Sequence, residues 1–289
     1  MTDVQARISV APPPLREVRS IVRRALEEDM PWGDVTTETF VPEDARAGAR
    51  FVVKEPGVIC GLGVAEVVFA ELDPSLHFES VVPDGNPASP GDAVAEVRGS
   101  ARSILMGERT ALNLLQRMSG IATATSRYVA AVAGTGATII DTRKTAPGLR
   151  ALDKYAVRCG GGSNHRFSLS DGVLLKDNHL VAIGDSLSAA LRSARCAVPH
   201  TIRVEVEVDR LDQIEPALEG GADIILLDNM SPDELRRAVE LIAGRALTEA
   251  SGGITLESVC DVARSGVDLI SVGALTHSVR ALDIGLDLV

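Results

Sequence analysis

Three compact motifs carry most of the chemistry that can be read from this chain. They are Asp141-Thr142-Arg143-Lys144-Thr145, Gly160-Gly161-Gly162-Ser163-Asn164-His165-Arg166 and Lys176-Asp177-Asn178-His179. From Asp141 to His179, seven Lys and Arg stand against four Asp, a local balance of +3, whereas the whole chain has 29 Lys+Arg against 40 Asp+Glu and a net charge of -11. Positive charge concentrated against the global sign suits a small, highly charged anion. Arg143, Lys144, Arg166 and Lys176 are the candidate ligands. Arginine offers a planar fork to carboxylate or phosphate, and lysine acts as a point charge. Solvated surface charge is the ordinary alternative, but these four sit at strand ends or beside a glycine run. Arg150, Lys154 and Arg158 recur at helical spacing and read as helix-face charges. His165, after three glycines, reads as a substrate contact, and His179 as structural or as a support behind a ligand-binding residue.

A second group is suited to phosphate. Glu249-Ala250-Ser251-Gly252-Gly253-Ile254 precedes a predicted helix. Glycines let backbone N–H groups approach an anion, and a helix N-terminus adds a favourable dipole. Ser271-Val272-Gly273-Ala274 supplies a second such strand end. A third group is acidic. Glu205 and Glu207 share one face of a strand, with Val204, Val206 and Val208 on the other. Two inward carboxylates are costly unless they meet cations, metal or substrate hydroxyls. With Asp228 they suit Mg²⁺ held partly through substrate phosphates; an ion-pair network inside the protein is the alternative.

Composition sets limits on function. Hydrophobic content of 45% and charged content of 24% are ordinary for a globular protein. Aromatics at 3% and the acidic balance argue against nucleic-acid binding, which uses stacking platforms and basic surfaces. Cys60, Cys159, Cys196 and Cys260 show no metal-ligand spacing, and they read as reduced thiols of a cytoplasmic protein. Cys159 precedes the glycine run, but nothing local in sequence activates it as a nucleophile. No apolar run approaches the ~20 residues that span a bilayer. The first residues, through Pro12-Pro13-Pro14, read as a loose arm.

The elements must position these groups. An amphipathic helix is predicted over Leu15–Met30, ended by Pro31-Trp32-Gly33-Asp34. Short strands are predicted over Phe51–Lys54, Leu76–Val82 and Ala93–Val97, with a helix over Val64–Leu72. A helix over Ser103–Met118 is expected to break at Ser119-Gly120, with a second running to about Val132 and a domain boundary nearby. Beyond Ala137, six apolar runs alternate with helices: Ala137–Asp141, Val173–Lys176, Ile202–Val208, Asp223–Leu227, Leu247–Ala250 and Asp268–Val272. The intervening helices are Leu149–Cys159, Leu187–Ala197, Leu211–Glu219, Pro232–Ala243 and Leu256–Ser265. Such alternation implies parallel βα units. Nearly every run ends in polar or glycine chemistry, which favours a TIM-type barrel with fewer than eight strands over an open doubly wound sheet.

Together with Glu108-Arg109-Thr110-Ala111-Leu112-Asn113, these segments resemble the quinolinate phosphoribosyltransferase family, the carboxylating nicotinate-nucleotide pyrophosphorylases of NAD biosynthesis. The resemblance runs from about residue 100 to the C-terminus. Ala146 departs from it, since Thr is expected after Lys144-Thr145. The resemblance implies an α/β protein: an N-terminal α/β sandwich over residues 1–118, to which 278–289 return, and an incomplete TIM-like barrel over 119–277. It implies a homodimer or higher even oligomer in which Arg109 completes the partner's pocket. It assigns the carboxylates of quinolinate to Arg109, Arg143, His165, Arg166 and Lys176. The pyrophosphate of phosphoribosyl pyrophosphate falls to Lys144, beside Thr142, and the 5′-phosphate to Ser251, Gly252, Gly253, Val272, Gly273 and Ala274. Ribose hydroxyls and Mg²⁺ fall to Glu205 and Asp228; no organic cofactor is implied. Competing readings are a barrel phosphoribosyltransferase for another aromatic acid, a Schiff-base lyase using Lys176 or Lys144, and a non-catalytic phosphate-binding protein.

Overall fold

The structure, a computed structural model, describes residues 10–176, 178, 179, 182 and 186–289. The first nine residues, expected as part of a loose arm, and Asp177 lie outside the described residues. The chain forms two compact units. One comprises 1–124, 146–161 and 279–289; the other comprises 125–145 and 162–278.

In the first unit, α1 (Leu15–Asp29) buries Val18, Ile21, Val22 and Leu26, the stripe that its sequence spacing predicts. It packs on α3 (Leu62–Leu72), where Glu71 receives Arg19 and Arg23. Between them lies α2 (Val35–Phe40), a short helix that the sequence reading missed, capped by the Asp34 carboxylate. Strands β1 (Arg46–Val53), β3 (His77–Ser80), β5 (Ala93–Ser100) and β12 (Ile284–Leu288) form an antiparallel sheet in the order β12-β1-β5-β3. The short β2 (Gly57–Val58) and β4 (Pro87–Ala88) pair separately. Phe51, Phe69 and Phe78 meet ring to ring in the core.

Helix α4 (Ala101–Ala131) is unbroken, which corrects the expected break at Ser119-Gly120. Gly120 is there for proximity: a Cβ on it would lie 2.2 Å from the carbonyl oxygen of Arg280. Its neighbour Ser119 accepts the backbone N–H of Cys60 at 3.0 Å. Helix α5 (Arg150–Cys159) also belongs to this unit. There Asp153 is fully buried and takes a two-pronged bridge from Arg117, at 2.9 Å and 2.8 Å. Lys154 is only 3% exposed, so it is a core residue and not the helix-face charge that periodicity suggests.

The second unit is built on six parallel strands: β6 (Thr138–Ile140), β7 (Val173–Leu175), β8 (Val204–Val208), β9 (Ile224–Asp228), β10 (Leu247–Ser251) and β11 (Leu269–Ser271). Their order is β6-β11-β10-β9-β8-β7, so β6 and β7 are edges and the barrel is incomplete. All six coincide with the predicted runs. Val204, Val206 and Val208 are buried on one face of β8, leaving Glu205 and Glu207 for the other. The connecting helices are α6 (Leu187–Ala197), α7 (Ile214–Glu219, preceded by a 3₁₀ turn over Leu211–Gln213), α8 (Pro232–Ile242), α9 (Val259–Ala263) and α10 (Ala274–His277). Ser231 and Glu234 cap α8 reciprocally around Pro232, a helix-start signature visible in the sequence. Helix α9 begins well beyond Gly253, so the expected helix N-terminus at the glycine turn is absent. Among the described residues, no helix is long and apolar enough to cross a membrane.

Candidate active site

The parallel strands of the second unit end around one cavity of about 580 Å³. Thr142, Arg143 and Lys144 enter it after β6, His165 and Arg166 from the loop after the glycine run, and Lys176 from the end of β7. Glu207 projects from β8, Asp228 from the end of β9, and Ser251, Gly252 and Gly253 from the end of β10. Glu249, Ser271, Asn229, Leu174 and Leu226 complete the wall.

The cationic side holds unmet donors. The Nε atoms of Arg143 and Arg166 are buried and have no hydrogen-bond partner. Burial, and then repulsion from Arg143, lowers the pKa of Arg166. Two guanidinium groups close enough to repel, each with an unmet buried N–H, define a place for an anion. Arg166 is otherwise anchored by donating to the Gly172 carbonyl at 2.7 Å. Lys176 donates to Glu207 at 2.5 Å, and the backbone N–H of Lys176 is held by His179 Nδ1 at 3.0 Å, the structural role expected of that histidine. Lys144 is fixed through its backbone: its N–H donates to Thr142 Oγ1 at 3.0 Å and its carbonyl accepts from Thr276 Oγ1 at 2.8 Å.

The glycine turn after β10 has φ of 96° at Gly252 and 59° at Gly253. A Cβ on Gly252 would sit 2.2 Å from Asn229 Oδ1, while Gly253 faces open space. Asn229, itself left-handed at φ 54°, donates its backbone N–H to the Ser251 carbonyl at 2.9 Å and its amide to Asp228 at 2.6 Å. The turn therefore holds Asp228 as well as presenting an open backbone surface. Val272, Gly273 and Ala274 are not walls of this cavity: Val272 is buried, and Gly273 backs onto the Lys144 and His277 side chains.

Glu205 departs from expectation. It aligns with Ile224 on β9, four residues before Asp228, or roughly 13 Å along the strands. One cation cannot touch both. Glu205 is 3% exposed and lies behind the cavity wall, 3.2 Å from His165 Nε2. Glu207 aligns with Leu226, two residues before Asp228, and shares the open cavity with it. Glu207 with Asp228 is thus the carboxylate pair that fits a hard divalent ion completed by substrate oxygens. Sequence alternation put both glutamates on one face, and only strand register separates their depths.

His165 also differs. Its Nδ1 accepts the Arg166 backbone N–H at 2.6 Å, so Nε2 carries the proton and points to Glu205. Buried Asp141 accepts from the His165 backbone N–H and from the Asn164 amide. His165 therefore orients Arg166 in this state. Beside it, Glu249 is 1% exposed, and burial followed by repulsion from Glu205 pushes its pKa up to about 8. The sequence reading missed Glu249 as a functional group, although a carboxylate within an apolar strand run, three residues before Gly252, is a legible signal. Arg109 belongs to the first unit, exposed on α4, where it lines a shallow cavity with Asp29 and Met106.

The chain is similar to known proteins over nearly its whole length. Residues 34–119 match the N-terminal domain of quinolinate phosphoribosyl transferase, and residues 121–287 match its C-terminal domain. The nicotinate-nucleotide pyrophosphorylase [carboxylating] of Mycobacterium leprae is 48% identical over 93% of this chain and 96% of its own. A probable enzyme of that name from Bacillus subtilis is 42% identical over 94% of this chain and 93% of its own. The crystal structure of NadC from Streptococcus pyogenes superposes with a TM-score of 0.91 at 41% identity, covering 96% of this chain and 99% of that one. With both family domains matched in order along nearly its whole length, the chain belongs to the quinolinate phosphoribosyltransferase family.

Proposed function

We propose that this protein transfers the phosphoribosyl group of phosphoribosyl pyrophosphate to quinolinate, with loss of CO₂, giving nicotinate mononucleotide and pyrophosphate. The observation that carries this reading is the pair Arg143 and Arg166, whose buried, unpartnered Nε atoms call for an anion in a cavity that also holds Lys144 and Lys176. A dicarboxylate meets that demand, and the Ser251-Gly252-Gly253 turn is suited to a 5′-phosphate.

The cavity distributes charge as the reaction requires. Loss of pyrophosphate builds positive charge at the anomeric carbon and negative charge on the leaving group. Lys144, Glu207 and Asp228 line one cavity, where Lys144 would stabilise the second and the two carboxylates would take the ribose hydroxyls and stabilise the first. Glu207 and Asp228 would also hold Mg²⁺, which when bound neutralises pyrophosphate oxygens. Arg143, Arg166 and Lys176 orient the ring so that its nitrogen faces the ribose. Once alkylated, that nitrogen is cationic and stabilises the carbanion left by the departing carboxylate, so no organic cofactor is needed. Arg109, exposed on α4, is available to a second subunit's pocket, in keeping with a homodimer or higher even oligomer. A Schiff-base role for Lys176 is disfavoured by its ion pair with Glu207.

The test is direct. Purified protein with Mg²⁺, quinolinate and phosphoribosyl pyrophosphate should release CO₂ and pyrophosphate and form the mononucleotide. Nicotinate should be turned over poorly, because one or more desolvated cations would be left unmatched, at about 1–3 kcal/mol each or more. Equal turnover of the two acids would overturn the assignment.

A further inference from the structure

Cys60 and Cys159 are far apart in sequence, yet the first unit brings their sulfurs within 4.8 Å of each other and of the Asp84 carboxylate. Cys60 is fully buried just before α3, and Ser119 fixes its backbone at both N–H and carbonyl. Cys159 ends α5 and is 8% exposed. The other two thiols, Cys196 and Cys260, lie nearer the surface. A metal is the first chemistry to consider for two thiols and a carboxylate. Here the Asp84 carboxylate is already committed: it accepts from the Gly61 and Leu62 backbone N–H groups at 2.9 Å and 3.2 Å and from the Tyr155 hydroxyl at 3.0 Å. That leaves two adjacent thiols, in an asymmetric setting. A hydrogen bond from Cys60 is the leading influence lowering the Cys159 thiol pKa, with Tyr155 and Arg158 acting in the same direction, whereas burial holds the Cys60 thiol well above its ordinary value. Cys159 is therefore both the more accessible and the more nucleophilic sulfur.

We propose that Cys60 and Cys159 form a reversible thiol–disulfide pair, oxidised by hydroperoxides, that pins α5 to the start of α3. The Cys159 thiolate attacks a peroxide oxygen, the O–O bond breaks, and the released hydroxide takes up a proton to become water. The sulfenic acid so formed is then attacked by the Cys60 sulfur; the S–S bond forms and the sulfenic oxygen leaves with the Cys60 proton as a second water. Two thiols and one hydrogen peroxide thus give one disulfide and two waters. The location gives the bond a consequence. Segment 146–161 directly follows Lys144-Thr145 and leads directly into the residues before His165 and Arg166. Oxidation would fasten the chain excursion that separates the two halves of the cation set.

The experiment uses the full chain with Cys196→Ser and Cys260→Ser, exposed to hydrogen peroxide. We expect both remaining thiols to disappear together with a mass loss of two hydrogens. A peptide pair joining Cys60 to Cys159 should appear, the unfolding midpoint should rise by several degrees, and dithiothreitol should reverse all three. Adding Cys60→Ser should leave Cys159 as a sulfenic acid that dimedone traps; the peptide map of the parent decides the matter if that variant does not fold. The idea fails if peroxide adds oxygen to Cys159 while Cys60 stays alkylatable. It fails equally if the thiols react only after a chelator removes a co-purifying metal.

Discussion

Lys176 Nζ and Glu207 Oε2 meet at 2.5 Å, joining the end of β7 to β8 inside the cavity. This pair couples the side proposed for the quinolinate carboxylates to the side proposed for ribose. Replacing Lys176 with Met removes a charged donor, worth about 1.5–3 kcal/mol, so KM for quinolinate should rise roughly 10- to 100-fold. KM for phosphoribosyl pyrophosphate should move far less. Glu207→Gln should mainly lower kcat, and Glu205→Gln should spare the metal dependence. Steady-state kinetics with each substrate and Mg²⁺ varied in turn will separate the three.

The Arg143 and Arg166 forks should set specificity. Lysine at either position keeps the charge but loses the planar donor pair. Each conservative variant should lose about tenfold or more in kcat/KM for quinolinate and narrow its preference over nicotinate. Competition assays with the two acids measure the ratio directly.

Gly252→Ala places a Cβ against Asn229, at a φ of 96° that L residues rarely adopt. Strain of this kind costs on the order of 1–3 kcal/mol. Because Asn229 holds Asp228, the damage should reach the ribose side as well as the phosphate turn. Thermal unfolding should show a lowered midpoint, and KM for phosphoribosyl pyrophosphate should increase about tenfold.

Glu249 links stability to pH. Its folded pKa is raised to about 8, above its ordinary value of 4.5, so folding takes up a proton between those limits. Its contribution is fully present below pH 4.5 and is lost as pH rises through about 8. The wild-type unfolding midpoint should therefore decline across that window relative to Glu249→Gln, which lacks the titrating group. Parallel slopes for the two proteins would refute the assignment.

Asp153 is wholly buried and depends on Arg117 and on the Ala146 backbone N–H. Asp153→Ala removes both prongs of the buried bridge and should cost roughly 3–5 kcal/mol, read from the denaturant midpoint. Arg117→Ala leaves a buried carboxylate and should be similarly damaging.

The sheet of the second unit was legible because strand-helix alternation is local information. All six runs reappear as strands, from Thr138–Ile140 to Leu269–Ser271. What stayed hidden depends on partners distant in sequence. Gly120 reads as a helix breaker until Arg280 is seen against it. Lys154 reads as a surface charge because periodicity gives a helix face and not what covers it. Glu205 and Glu207 share a face by alternation, but the pairing of β8 with β9 puts one behind the cavity wall and the other in it. His165 was legible as part of the site. Its engagement with Arg166 on one ring nitrogen and Glu205 on the other was not, since that needs three segments assembled.

The division of the chain at 124, 145, 161 and 278 has a consequence for how this molecule can be inherited or cut. Neither unit is a continuous stretch of gene. A truncation at 145 or at 161 removes part of both, and a recombination that exchanged one unit for a relative's would need several coordinated joints. Insertions at exposed turns leave both units whole, whereas exchange of one unit has to respect all four crossings at once.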